Sequence, residues 1–187
     1  PPLRGMGTTA TVVVLSPNAA YATHVGDSRI YLLHKGKKDF RTFDHSKVFE
    51  MVEQGMMSEE QARQSSFSNI ITRALGIRPQ VEMKVETLPY RKGDRLILCC
   101  DGIWNAKPET DMLKLFNEGK TAAEEVKLLT EHINAYGLEH GGDHDNLTAI
   151  VADIKQNSKM QHSCFKIVGR ALGRQWQRIK GTCKKKK

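Results

Sequence analysis

Three aspartates stand where a strand-like run of the sequence gives way to a turn. Asp27 lies in HVGDSRIYLL, Asp101 in DRLILCCDGIWN and Asp145 in GGDHDNLTAI. Each has Gly or Asn nearby, and such residues allow another stretch of backbone to come close. Gly-Asp-Ser, Asp-Gly and Asp-Asn are also ordinary turn sequences, so the spacing alone leaves the turn interpretation open.

The three carboxylates would form a functional site if they met at one end of a sheet. Like charges gathered there would repel one another strongly unless a cation lay between them. Oxygen ligands without a cysteine pair nearby favour Mg²⁺ or Mn²⁺. The hypothesis from these residues is therefore a divalent cation site formed by Asp27, Asp101 and Asp145.

A second cluster in the sequence has residue types that bind zinc. It consists of His140, Asp143, His144 and Asp145. The two histidines are four residues apart, but the Gly141-Gly142 pair between them disfavours a helix that would align their side chains. We interpret these histidines as loop residues.

Apolar and β-branched runs separated by turn sequences predict a fold rich in strands. The predicted strands are 8–15, two runs within 20–33, 40–43, 81–88, 96–100 and 147–154. The run 96–100 is apolar on both faces, which predicts a central strand.

Helices are predicted in the gaps between these strands. A short helix is predicted before Gly55, and Ser58 and Thr121 each begin a capping-box pattern. The second of these starts an apolar stripe at helical spacing that we expect to face the core and to end at Gly137. The stripe consists of Ala122, Val126, Leu129, Ile133 and Tyr136. This order of elements predicts an α+β fold, with mostly antiparallel sheet and helices on its outer faces.

The composition is that of a soluble globular protein. The 187 residues are 39% hydrophobic and 27% charged, which is enough for one domain with a real core. No apolar run approaches the roughly 20 residues of a membrane-spanning helix. Cys99 and Cys100 are adjacent in a predicted strand, so their side chains point to opposite faces and cannot easily form a disulfide. The four cysteines therefore indicate a reducing compartment, and the expected location is the cytoplasm.

The net charge of +8 comes from one end of the chain. Eleven of the 29 basic side chains lie from Lys155 onward, where there is no acidic residue. The preceding part carries 18 basic and 21 acidic side chains, which argues against a nucleic-acid-binding core. We therefore predict a domain over 1–154 and a basic tail over 155–187.

The tail has the pattern of a basic amphipathic helix. Its apolar face consists of Phe165, Val168, Leu172, Trp176 and Ile179, with basic residues on the opposite side. Gly169 and Gly173 each weaken such a helix by about 1 kcal/mol, so we expect it to form when bound. The predicted partner of 163–187 is an anionic membrane surface or an acidic protein. The alternatives are a frayed tail and a helix packed on its own domain.

Six short motifs occur in order between residues 5 and 154. They are GMGTT, VGDSRIYLL, DHS, ITRALG, DRLILCCDGIW and DHDNLTAIV. Together they resemble the metal-dependent Ser/Thr protein phosphatases of type 2C, the PPM family, in the compact form common in bacteria. The resemblance implies an α-β-β-α sandwich of two antiparallel sheets flanked by helices, with two core Mn²⁺ or Mg²⁺ ions at one end.

The resemblance also implies a role for each aspartate. Asp101 and Asp145 resemble ligands of the core metal centre, and Asp27 resembles a ligand of a third, more weakly held ion. The stretch 45–69 resembles the variable flap beside the site. The implied reaction is hydrolysis of phosphoserine and phosphothreonine in proteins by a metal-activated water, with no covalent phosphoenzyme and no separate catalytic side chain. A monomer is expected.

The sequence departs from the family pattern in two places. Asn105 stands where the family often has Asp, and an amide there should weaken binding of a third metal. The family also has an upstream Asp-Gly pair that bridges both core metals, and an upstream Arg that helps to hold phosphate; nothing before Gly5 supplies the pair. We therefore expect a C-terminal fragment, incomplete at its N-terminus, with weak or absent catalysis by itself. The alternative is an inactive phosphatase-like regulatory or binding protein.

Overall fold

The structure is a computed structural model and describes residues 5–141 and 145–159. The strands within these ranges are β1 (Ala10–Leu15), β2 (Ala20–Val25), β3 (Arg29–His34), β4 (Lys37–Arg41), β5 (Glu86–Leu88), β6 (Arg95–Cys99) and β7 (Ala149–Asp153). The helices are α1 (Lys47–Glu53), α2 (Glu59–Gln64), α3 (Asp101–Trp104), α4 (Glu109–Leu115) and α5 (Ala122–Glu139).

The strands form two sheets in which all pairings are antiparallel. One sheet has the order β1-β2-β5 and the other has the order β4-β3-β6-β7. The predicted α+β fold with two antiparallel sheets and helices is confirmed. Strand β6 lies between β3 and β7, so the predicted central strand is central.

The four-stranded sheet is buried on both faces. On one face, Ile97 packs in a cluster with Leu129 and Ile133 of α5. On the other face, Leu96 packs with Ala22 and Leu88 of the three-stranded sheet. Successive side chains of β6 thus alternate between the helix layer and the space between the sheets.

The three-stranded sheet has one face packed against the core and one face that is largely exposed. Val13 packs against the core between the sheets, whereas Val12 and Val14 are 48% and 56% exposed. Tyr21, the cross-strand partner of Val14, is exposed as well. The described residues therefore cover the two sheets unequally.

Two predicted strands differ from those in the structure by more than two residues at one end. The expected strand 81–88 is reduced to β5, because β2 pairs only with Glu86–Leu88. Met83 and Val85 remain exposed beside it, without packing that would extend the strand. Strand β4 begins at Lys37, before the predicted 40–43, because it pairs directly with β3 across a tight turn.

The helices also differ from the prediction at three points. The sequence did not predict α3 or α4, which contribute Ile103 and Met112 to the core. Helix α5 continues past the predicted end at Gly137 to Glu139, because Gly137 is buried within the helix and His140 supplies the C-cap. Glycine lowers helix propensity by about 1 kcal/mol, which the packing of this helix overcomes.

The predicted tail is described only at its start. The backbone N–H of Lys159 donates to the carbonyl of Pro17, 2.9 Å away, beside the turn between β1 and β2. The amphipathic segment 163–187 lies outside the described residues. Within the described part of the chain, no helix has the length and apolar character needed to cross a bilayer.

Candidate active site

Asp101 follows the central strand β6 and lies in the first turn of α3. Cys100 is the N-cap, and Asp101 Oδ1 accepts a hydrogen bond from the N–H of Gly102, 3.0 Å away. Asp101 therefore begins a helix, and the alternative that Asp-Gly closes a turn there is wrong. The acidic side chain lies at the helix N-terminus, where the helix dipole favours negative charge.

The loop that carries Asp145 packs directly against this helix. A Cβ atom on Gly102 would lie only 2.4 Å from the carbonyl oxygen of Asn146, so the approach requires glycine. The thiol of Cys100 donates to the same carbonyl at 3.1 Å and accepts from the N–H of Thr148 at 3.2 Å. These contacts bring Asp145 beside Asp101, and they give Cys100 a structural role.

Asp101 and Asp145 line one cavity of about 310 Å³. Asp101 is half-buried and Asp145 is exposed. Asn69, Asn105, Tyr136 and His140 contribute to the other walls. The structure thus brings together two of the three predicted metal ligands at the ends of neighbouring strands.

Asp27 lies in the turn between β2 and β3, where the chain crosses from one sheet to the other. Its carbonyl oxygen accepts a hydrogen bond from Trp104 Nε1 at 2.9 Å, which joins this turn to α3. Partial burial and then the nearby carboxylate of Asp101 raise the pKa of Asp27. Asp27 is therefore close enough to Asp101 for their charges to interact.

Cation binding by all three carboxylates stays a prediction. Within residues 5–141 and 145–159, no group of three or more His, Cys, Asp or Glu side chains is placed to hold a metal ion. The donors at the cavity are carboxylate and amide oxygens, which suit Mg²⁺ or Mn²⁺ better than Zn²⁺. Asp143 and His144, from the cluster considered for zinc, lie outside the described residues.

His140 is not a loop residue as predicted, because it caps α5. Its Nδ1 lies 2.8 Å from the carbonyl oxygen of Tyr136, so Nδ1–H is the donor. Its ring stacks on that of Tyr136, with 3.9 Å between the ring centroids. The i, i+4 spacing of Tyr136 and His140 in a helix indicates this contact. The predicted helix ended at Gly137, before His140, so the contact was not predicted.

A buried arginine supports the elements around the cavity. Arg29 of β3 forms a bidentate ion pair with Asp44, with N–O distances of 2.7 and 2.8 Å. Its guanidinium lies 3.4 Å from the ring centroid of Trp104 and 4.9 Å from that of Phe49. Burial is the largest single influence and lowers the pKa of Arg29, but the hydrogen bonds and charge interactions with Asp44 and Tyr31 together outweigh it, so the net change raises the pKa. The charged pair therefore joins β3, α1 and α3.

The stretch 45–69, predicted to be a flap, is anchored on two sides. Both terminal nitrogens of Arg41 donate to Glu59 at the start of α2, at 2.8 and 3.0 Å. Near the end of α2, Arg63 donates to the carbonyls of Lys107 and Asn105 at 2.9 and 3.2 Å. These contacts hold α2 next to the loop that follows α3.

Comparison with known proteins identifies the family. The profile described as Protein phosphatase 2C matches residues 4–146 of the sequence. The chain belongs to the protein phosphatase 2C family. This finding confirms the resemblance inferred from the six motifs.

Several bacterial members of the protein phosphatase 2C family are similar to the chain. The serine/threonine phosphatase Stp of Listeria monocytogenes is 35% identical over 151 residues, which cover 81% of this chain and 58% of Stp. The crystal structure of the serine/threonine phosphatase PstP/Ppp of Mycobacterium tuberculosis matches with a TM-score of 0.71 and 32% identity, covering 82% of this chain and 63% of that one.

A second family structure is that of the PstP catalytic domain in complex with two manganese ions. It matches with a TM-score of 0.62 and 31% identity, covering 82% of this chain and 61% of that one. The chain thus spans about three fifths of the length of these relatives.

Proposed function

We propose that the chain is part of a metal-dependent protein phosphatase that hydrolyses phosphoserine and phosphothreonine in proteins. The observation that carries this proposal is the shared cavity of Asp101 and Asp145 in a member of the protein phosphatase 2C family. Similar proteins are named serine/threonine phosphatases, and one related structure holds two manganese ions.

In this proposal, Asp101 and Asp145 would hold the core Mn²⁺ or Mg²⁺ ions and Asp27 would hold a third. When bound, such a pair of ions lowers the pKa of a water and neutralises charge on the phosphoryl oxygens. The turn that carries Asp27 joins the two sheets and is fixed to α3 through Trp104.

The protein's own residues position the carboxylates and limit access to them. Cys100 and Gly102 fix the Asp145 loop against α3. Asn69, at the end of the anchored stretch 45–69, contributes a wall of the cavity. A phosphorylated side chain would therefore enter between this stretch and the C-terminal end of α5.

The test is Mn²⁺-dependent hydrolysis of p-nitrophenyl phosphate and a phosphothreonine peptide. The chain is assayed alone and joined to the upstream part of the Listeria relative, because the resemblance implies that this part carries a metal-bridging Asp-Gly pair. We expect strong activity from the joined protein, loss in Asp101→Asn, and retention in Asp39→Asn, which changes an exposed aspartate of β4. Absence of activity in the joined protein, or full activity in Asp101→Asn, would overturn the proposal.

We also propose that the protein is cytoplasmic and that the segment 163–187 attaches it to an anionic membrane surface. Trp176 in an apolar stripe opposite regularly spaced basic residues favours this role over that of a solvated tail. Each basic residue near such a surface contributes about 1 kcal/mol. The test is sedimentation with vesicles that contain or lack phosphatidylserine.

The whole chain is compared in that test with a version that ends at Lys159, which keeps the contacts of Ile154 and Ser158 with the domain. We expect only the whole chain to sediment with the anionic vesicles, and less of it at high salt. Equal sedimentation of the two versions would contradict membrane attachment by the tail. Binding of the tail to an acidic protein but not to vesicles would favour the other predicted partner.

A further inference from the structure

One wall of the candidate active-site cavity is an aromatic stack that has a positive charge beside it. The rings of Tyr136 and His140, which line the cavity, are stacked at an angle of 27°. Lys107 Nζ lies 4.6 Å from the centroid of the Tyr136 ring. We call Lys107, Tyr136 and His140 the cationic wall.

Lys107 forms no ion pair with a described residue; Lys114 and, more weakly, Lys107 lower the pKa of the nearby Asp111. Lys38 pairs with Glu109, and Lys114 pairs with Asp111. Among the described residues, no carboxylate lies within ion-pairing distance of Lys107. A cation–π contact attracts the ammonium group but leaves its charge in place, so Lys107 can still attract an anion.

The cationic wall is held in position by backbone contacts. Arg63 donates to the carbonyl of Lys107, and Asn105 and Ala106, just before Lys107, line the cavity. His140 donates its Nδ1–H to the carbonyl of Tyr136, so Nε2 is the ring atom left for other partners. The backbone of Lys107 is therefore fixed next to the cavity, and the contact with the Tyr136 ring places its ammonium group beside a residue that lines the cavity.

We propose that the cationic wall binds an acidic side chain that flanks the phosphorylated residue of the substrate. This inference rests on the proposed phosphatase function and defines its substrate class as phosphoproteins with Asp or Glu beside the phosphorylated Ser or Thr. The ammonium group of Lys107 attracts a flanking carboxylate and repels a flanking ammonium group, so the cationic wall favours acidic over basic flanking residues.

The test measures binding of three peptides by fluorescence anisotropy. Each carries a nonhydrolysable phosphonate analogue of phosphothreonine, and the peptides differ only in having Asp, Ala or Lys on both sides of it. We expect the whole chain to bind the Asp peptide about threefold more tightly than the Ala peptide, as for an exposed ion pair, and the Lys peptide most weakly. The difference should disappear in about 0.5 M salt, because screening removes interactions between exposed charges.

Charge variants make the test specific to Lys107. Lys107→Met keeps most of the apolar stem and should bind the Asp and Ala peptides equally. Lys107→Glu should reverse the order and favour the Lys peptide. Lys127→Met, which changes an exposed lysine of α5 next to Glu131, is the control and should keep the order of the unmodified chain. Equal binding of the three peptides by the unmodified chain, or an Asp preference that survives in Lys107→Glu, would overturn the subsite.

The subsite and the proposed function can fail separately. p-Nitrophenyl phosphate has no flanking residue, so its Mn²⁺-dependent hydrolysis tests the phosphatase function alone. Hydrolysis without a flanking preference would overturn the subsite and keep the phosphatase. A flanking preference that follows the charge at position 107, without hydrolysis by the joined protein, would support the subsite and contradict the enzyme.

Discussion

The two sheets of this protein both contain apolar strands, but their surroundings differ. Ile97 of the four-stranded sheet is fully buried under α5, whereas Val14 of the three-stranded sheet is more than half exposed. Asp101 and Asp145 adjoin the four-stranded sheet, which we call the covered sheet because helix α5 packs on it. Asp27 lies in the turn that links the two sheets. The candidate site is therefore built mainly on the sheet with the more complete core, and such support holds functional side chains more rigidly.

The largest effect on stability is expected from the buried ion pair on the covered sheet. Arg29→Met leaves Asp44 buried without its partner and removes the contact with Trp104. We expect a loss of about 4 kcal/mol in the free energy of unfolding, measured by urea denaturation. Arg78→Met, at an exposed position, is the control. A loss below about 1 kcal/mol for Arg29→Met would show that the pair is not what stabilises this region.

The next prediction compares the same kind of change in the two sheets. Ile97→Ala creates a cavity between β6 and α5 and should cost about 3 kcal/mol. Val14→Ala changes an exposed position and should cost about 0.5 kcal/mol, mainly through strand propensity. Both variants are measured by urea denaturation. Similar losses would mean that the outer face of β1 is covered in solution, and the contrast between the sheets would then be wrong.

A smaller loss of stability is expected where helix α3 meets the loop that carries Asp145. Gly102→Ala places a methyl group against the carbonyl of Asn146, so the Asp145 loop must move. We expect a cost of about 2 kcal/mol, typical of overpacking, together with weaker Mn²⁺ binding. Denaturation and Mn²⁺ titration are measured on the same preparation. Unchanged Mn²⁺ affinity with reduced stability would mean that the close approach serves packing alone.

The smallest effect concerns the junction between the sheets, where His45 stacks on His24 and accepts a hydrogen bond from the N–H of Gly26. Burial, followed by the charges of His24 and Arg73, lowers the pKa of His45 to about 4. Between about pH 6.5 and pH 4 the unfolded chain therefore binds more protons, so stability is complete above this window and falls as the pH falls through it.

Because His45 is partly exposed, we expect a loss of only about 1 kcal/mol across this window. Urea denaturation at a series of pH values measures it, with His45→Gln as the comparison. The slope against pH should be smaller in His45→Gln. An identical slope would assign the pH dependence to other groups.

The sequence predicted the sheets better than the parts that complete the site. The apolar run of β6 and the capping box at Ser58 are strong local signals, and the structure contains both. Helix α3 has only four residues, which is too short to show a helical period. His140 was assigned to a loop because Gly137 was taken as the end of α5, although packing overrides its low helix propensity.

The meeting of Asp101 and Asp145 illustrates what local sequence cannot supply. Each aspartate could be placed beside a strand, but their proximity depends on β6 and β7 being neighbours. The contact of Lys107 with Tyr136, which lines the cavity, depends in addition on how α5 lies across the sheet. These relations come from tertiary packing between segments distant in sequence.

Binding of Mn²⁺ is the most direct test of the candidate site, because a metal-dependent phosphatase needs the carboxylates at the end of the four-stranded sheet to hold divalent cations. Isothermal titration of the chain with Mn²⁺ is compared with titrations of Asp101→Asn, Asp145→Asn and the control Asp39→Asn. We predict saturable binding that weakens by more than about tenfold in the first two variants, since even the loss of outer-shell partners has effects of that size. Binding of equal strength in the unmodified chain and in Asp101→Asn would mean that these carboxylates do not form the metal site.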